Sequence, residues 1–244
     1  LIVSPLAGIL FAWLLAVFTI RYVVNQIIVG VVLNVLVYGL TDFLYGRLLN
    51  PYADTLNSPP TFQPISIPLL SDIPVLGPVL FDQTIVVYLM YVLVALVHVM
   101  LFHSKWGLRV RAVGEHPDAA DTAGINVNSV RFRQVLLGGA VSGLGGAYYT
   151  LVNAGQFTEE MTAGGGFIAL AAMIMGRWTP VGALFAALLF GFADNLQNIL
   201  NIIRFPIPSE LMQMAPYVLT ILAVAGLVGR IRPPASNGVP YVKS

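Results

Sequence analysis

Uncharged apolar stretches long enough to cross a bilayer recur along the chain, separated by short polar or basic breaks. Leu1 to Ile20 carries no charge and stops at Arg21. Val23 to Leu40 is apolar apart from Asn25, Gln26 and Asn34, and the pattern can run on to Tyr45. Thr84 to Phe102 is 19 residues without a charge. As a helix it measures about 28 Å, close to the thickness of the hydrocarbon core. Val135 to Asn153, rich in glycine, Val181 to Ile199, and Ala215 to Val228 bring the number of expected spans to six. Phe167 to Met175 is apolar but short. Even taken from Gly164 it reaches only about 20 Å, which predicts a broken or re-entrant helix. The expected fold is therefore all-α, a polytopic transmembrane helix bundle forming a single domain over residues 1–244. Leu1 stands where a methionine would begin a chain, and the apolar pattern starts at once, so early helices are expected to be missing.

Basic residues orient the spans, because Lys and Arg are retained on the cytoplasmic side. The segment 50–83 lacks Lys and Arg and reads as extracytoplasmic. Its seven prolines, Pro51, Pro59, Pro60, Pro64, Pro68, Pro74 and Pro78, predict an ordered extended cap, either a linker or a surface that meets an external partner. The segment 103–134 carries Lys105, Arg109, Arg111, Arg131 and Arg133 and reads as cytoplasmic. The segment 229–244, with Arg230, Arg232 and Lys243, reads as a cytoplasmic tail. With Arg21 and Arg177 also inside, only Arg47 and Arg204 of the twelve basic residues fall outside. Strict alternation requires Phe167 to Met175 to count as a crossing.

Composition agrees. The chain is 57% hydrophobic and 9% charged, with a net charge of +1. A soluble domain carries about 25% charged residues. A nearly neutral chain offers no field for nucleic acid, and the absence of cysteine removes disulfides and thiolate metal sites.

Ile27 to Leu44 aligns without gaps on Thr179 to Leu196 at an offset of 152, with six of eighteen positions identical, Gly39/Gly191 and Asp42/Asp194 among them. Both segments run from inside to outside, which predicts a parallel internal repeat, a habit of transporters, against chance similarity of two apolar helices. Asp194 lies within a span and is followed by Asn195, Gln197 and Asn198. A carboxylate in hydrocarbon costs roughly 2.5–3.5 kcal/mol on insertion scales, so it should face protein or a wet path. Asn34, Asp194, Asn195 and Gln197 are candidate pathway residues. Alone, Asp194 could cap or pair near the outer interface, and Asn34 could join helices. Gly138, Gly139, Ser142, Gly143, Gly145 and Gly146, and Ala183, Ala187 and Gly191, place small residues four apart and predict close helix packing. His98, His103 and His116 are dispersed, and no HExxH, GxSxG or Walker A loop occurs. No cofactor, metal or catalytic residue is expected.

The most informative stretch is Gly107 to Phe132. Pro117 suits a first helical position, Asp118 favours the positive end of a helix, and Gly124 suits a stop. A short helix from Pro117 to Ala123 is expected in the basic loop. Asp118-Ala119-Ala120, then three residues, then Gly124 resembles the start of the EAA-type motif of ABC importer permeases. Gln134 and Leu137 depart from the isoleucine and proline expected later in that motif.

The strings AVGEHPDAADTAGINV, GAVSGLGGAYYTL and MTAGGGFIALAAMIMGRWTPVGALFAALLFGFADNLQ resemble the branched-chain amino acid and simple-sugar permease family, and within it the nucleoside and simple-sugar type. The resemblance implies a multi-pass permease subunit in a bacterial plasma membrane. It implies a related second permease, normally as a heterodimer, a cytoplasmic ATP-binding subunit that carries the ATP site, and an extracytoplasmic solute-binding protein. It also implies that Glu115, Asp118, Ala119, Ala120 and Gly124 belong to the segment coupling the permease to the ATPase. Neutral groups such as Asn34, Asn195, Gln197 and Tyr149 suit a nucleoside or simple sugar. The alternatives are another small solute of the same family, a branched-chain amino acid included, an ion-driven secondary transporter, and a membrane scaffold without transport.

Overall fold

Among the described residues of the computed structural model, four helical segments are long and apolar enough to cross a membrane: Val3–Arg21, Gln26–Tyr52, Ile85–His103 and Val127–Ala154. Residues 1–74, 77, 80–162, 164–202, 214, 218 and 232–243 are described. They are mostly helical. The expected span Ala215 to Val228 lies outside the described residues, apart from Val218. The described residues form two compact units, Leu1–Val92 with Arg109–Ala163 and Ser236–Ser244, and Leu93–Leu108 with Gly164–Ala235.

In the first unit α1 (Val3–Ala16) runs on into a turn of π-helix, Val17–Arg21. Helix α2 (Gln26–Leu44) starts where the Asn25 side chain accepts the N–H groups of Ile27 and Ile28 at 2.9 and 3.4 Å, satisfying donors left open at a helix start. It does not stop near Tyr45. A π-helical turn (Tyr45–Leu49), a 3-10 turn (Asn50–Tyr52) and α3 (Ala53–Leu56) carry it into the proline-rich segment. The expected extended cap thus begins as helix, because Pro51 sits in a first turn, where its missing N–H is not needed. Two residues later in that segment, β1 (Ile65–Ser66), pair antiparallel with β2 (Asp82–Gln83), Ile65 opposite Gln83.

Helix α7 (Val127–Tyr148, prolonged by a π-helical turn Tyr149–Ala154) packs on α1 through small residues. A Cβ added to Gly8 would collide with the carbonyl of Gly139, one on Gly139 with the Ala12 methyl, and one on Gly143 with the carbonyl of Ser4. The backbones touch, as small residues permit in lipid. Gly138, Gly145 and Gly146 make no such contact, since none of the described residues lies within 4 Å of their Cβ positions. At the end of α7, Asn57 is buried and clamps Phe157. Its Nδ2 donates to the Phe157 carbonyl at 2.8 Å and its Oδ1 accepts the Phe157 N–H at 2.7 Å. The Phe62 N–H also donates to the Leu151 carbonyl at 3.2 Å. The proline-rich segment is therefore tied down.

In the second unit α8 (Gly165–Met175) and α9 (Pro180–Ile202) form a hairpin. Thr179 caps α9, its Oγ1 accepting the Gly182 N–H at 3.1 Å. Arg177 and Trp178 both take left-handed backbone conformations, φ 57° and 58°, which reverse the chain within four residues. Gly176 and Gly182 approach so closely that a Cβ on either would strike the other turn. Ala172, Ala186 and Phe190 form the buried seam. Ala187 and Gly191 of the expected small-residue stripe are exposed instead. Helix α8 has 11 residues, the short element expected there.

Helix α4 (Ile85–His103) ends at Ser104, whose hydroxyl accepts the Gly107 N–H at 3.0 Å and starts α5 (Lys105–Glu115). Large apolar side chains are exposed along the helices. Phe167 and Phe185 are 77% and 66% exposed, and Ile27 and Val35 are 72% and 65%. Patches of this extent are a liability in water but the normal surface of a bundle in lipid.

Candidate functional site

Helix α6 (Pro117–Thr122) is the short helix expected in the basic loop. Pro117 occupies its first turn with Asp118, where a negative charge complements the exposed N–H groups. Its end is a Schellman motif. The Ile125 N–H donates to the Ala120 carbonyl at 3.0 Å and the Gly124 N–H to the Asp121 carbonyl at 2.9 Å. Gly124 supplies the left-handed residue, φ 82°, that this stop requires. Asn126 then caps α7, its Oδ1 accepting the Ser129 N–H at 2.9 Å.

One face of α6 is fixed. Ala120 is 4% exposed and packs with Val113 of α5 and Val127 of α7, and Ile125, Val130 and Tyr241 close over them. The other face is open, with Asp118, Ala119, Thr122 and Ala123 exposed. Of the residues expected to meet a partner, Asp118 and Ala119 are on the open face, while Ala120 instead holds the helix to its base. Glu115 ends α5, exposed, and its carbonyl accepts the Ser236 hydroxyl at 3.5 Å. All five residues, Glu115, Asp118, Ala119, Ala120 and Gly124, lie in one turn–helix–turn.

Sequence reasoning missed what lies across this helix. The Ser236 N–H donates to the Gly114 carbonyl at 3.0 Å, and the Arg131 guanidinium donates to the Val239 carbonyl at 2.7 Å. The same guanidinium lies 5.9 Å from the Tyr241 ring centre, and Lys243 Nζ is 3.6 Å from Asp121. Partial burial, a hydrogen bond to the Asp121 carboxylate, and the charges of Asp121 and Asp118 hold the Tyr241 phenol above its usual pKa, against the pull of Arg131. It therefore stays protonated, a donor, at neutral pH. The one signal in the sequence was an aromatic residue, Tyr241, in an otherwise polar and proline-rich stretch.

The candidate pathway residues belong to different units. Asn34 is exposed on α2, in the first unit, and Asp194 is exposed on α9, in the second. Asn195 turns its Nδ2 back to the Gly191 carbonyl of its own helix at 3.0 Å. The side chain of Gln197 lies outside the described residues. Tyr149 sits half-buried in the π-helical turn, its ring edge-on to Tyr148. The His98 ring stacks near Phe102, and its Nδ1 is buried without a hydrogen-bond partner among the described residues.

Helix α6 thus has one face anchored to α5 and α7 and one face open. The family model for the branched-chain amino acid transport system / permease component matches residues 1–224. The chain belongs to this family. It is a transporter subunit, not an enzyme. Among curated proteins it is 44% identical to the guanosine ABC transporter permease protein NupQ of Bacillus subtilis, over 100% of this chain and 77% of that one. It is 41% identical to the nucleoside ABC transporter permease protein NupC of Lactococcus lactis, over 99% and 76%. It is also 25% identical to a second permease of Bacillus subtilis, the guanosine ABC transporter permease protein NupP, over 97% and 68%. No solved structure matches.

Proposed function

We propose that this chain is a permease subunit of an ATP-driven nucleoside importer in a bacterial plasma membrane. The observation that carries the reading is similarity over practically the whole chain to two permeases named for guanosine and nucleosides. The open face of α6 supports it, because a separate ATPase needs such a face on the cytoplasmic side. The chain pairs with a second, related permease, as the similarity to both NupQ and NupP of one organism suggests. An extracytoplasmic solute-binding protein delivers the nucleoside to the side that carries the proline-rich segment.

In this reading the domain has six full spans and one short helix, α8, and α2 and α9 are copies of a parallel repeat. Closure of the ATPases displaces α6, and the anchored face passes that displacement to α5 and α7, switching the bundle between outward-open and inward-open states. Asn34 in the first unit, and Asp194, Asn195 and Gln197 in the second, each offer hydrogen bonds to a neutral, hydroxyl-rich solute. The ATP site belongs to the partner, since this sequence has no phosphate loop.

The test is uptake into proteoliposomes holding this chain with its second permease, ATPase and binding protein. Labelled guanosine is expected to accumulate only with ATP and to be displaced by other nucleosides but not by leucine. Uptake of leucine alone, or guanosine uptake that ignores ATP and collapses with an uncoupler, would refute the reading.

A further inference from the structure

Residues Ser236–Lys243 lie across the junction of α5, α6 and α7 and touch all three. Ser236 binds the end of α5 through the carbonyls of Gly114 and Glu115. Arg131, on the first turns of α7, grips the Val239 carbonyl and lies beside the Tyr241 ring. Tyr241 packs on the core of Val113, Ala120 and Val127, and Lys243 pairs with Asp121 on α6. A helix of six residues is too short to hold its own shape or direction in water. Its small apolar contact, mainly Ala120, gives it little purchase on α5 and α7. The strap supplies what the helix lacks: an aromatic lid over Ala120 and a cation beside Asp121. It does so while leaving Asp118, Ala119, Thr122 and Ala123 uncovered.

We propose that Ser236–Lys243 is a positioning strap, with Tyr241 its anchor, that locks α6 to the start of α7 and travels with it through the transport cycle. Without it α6 would swivel on Ala120 when the ATPase moves, and the stroke would be dissipated before reaching the spans. Lys243 contributes least, because it is 71% exposed and exposed ion pairs are weak. The strap rests on the assignment of α6 as the element that meets the ATPase.

The experiment uses the complete importer in proteoliposomes and reads solute taken up per ATP hydrolysed. Tyr241→Ala is expected to keep ATP hydrolysis while the uptake-to-ATP ratio falls roughly fivefold or more. Tyr241→Phe, which keeps the ring on the core, is expected to restore most of the ratio. A wild-type ratio in Tyr241→Ala would overturn the proposal. Should Tyr241→Ala not accumulate, the double variant Asp121→Cys with Lys243→Cys decides, since the natural chain has no cysteine. A short bis-maleimide is expected to join the pair and leave ATP-driven uptake at the unjoined rate. Failure to join, or loss of uptake on joining, would show that the strap is absent or must detach. If the wild-type importer takes up no solute, the transport reading fails, and joining of the pair in the purified complex still reports whether the strap lies on α6.

Discussion

Gly139→Val is expected to abolish accumulation of folded protein, while Gly138→Val, one residue away, leaves it almost unchanged. A side chain at Gly139 would enter the Ala12 methyl and the backbone of Gly8. Backbone cannot swing aside as a long side chain can, so α1 and α7 must separate along much of their shared length. Overpacking of a close contact costs about 1–3 kcal/mol even where neighbours can adjust, and lipid offers no hydrophobic force to push the helices back together. At Gly138 the added atoms meet nothing among the described residues. Size-exclusion profiles of the detergent-solubilised protein, followed by thermal unfolding, check the pair. A single symmetric peak of normal stability for Gly139→Val would mean that α1 and α7 do not pack as described.

The second large effect is at Gly124. Its backbone is left-handed, φ 82°, and none of the described residues lies within 4 Å of its Cβ position. Any harm from a side chain here is therefore conformational, not steric. A β-branched residue resists the left-handed region, at roughly 1–2 kcal/mol or more. Gly124→Val should unwind the Schellman end of α6 and turn its open face out of register. The expected outcome is normal membrane insertion, retained ATP hydrolysis, and uptake reduced about 5–30-fold, the factor that such an energy carries. Gly124→Asn is the control, because asparagine tolerates this conformation at a helix end. It should transport several times better than the valine variant. Equal loss in both would point to the bulk of the side chain, and full activity of Gly124→Val would remove α6 from the coupling path.

The sequence made the spans legible for a simple reason. A run such as Ile85–His103 has no charge and the length of the hydrocarbon core, so only one environment suits it. Helix α6 was legible from two residues with strong local preferences, Pro117 at its start and Gly124 at its end, and its observed bounds differ from the expected Ala123 end by one residue. The π-helical turns at Val17–Arg21, Tyr45–Leu49 and Tyr149–Ala154 were not legible, since no residue type marks the wider, underwound i→i+5 turn. Spacing found the glycine stripe on α7 but could not say which glycines touch α1, because Gly138 and Gly139 look alike until the partner's backbone is placed. The strap was invisible for a similar reason. Its contacts join residues more than a hundred positions apart, Arg131 to Val239 and Glu115 to Ser236, and no local pattern encodes them.

The side of the membrane that α6 faces is the claim on which the rest depends, and the cysteine-free chain allows a direct measurement. Ala119→Cys places a thiol on the open face of α6, and a membrane-impermeant maleimide reads its sidedness. Modification in inverted vesicles stripped of the ATPase, protection when the ATPase is added back, and none in intact cells are the expected results. Modification in intact cells would put the helix outside and contradict the assignment.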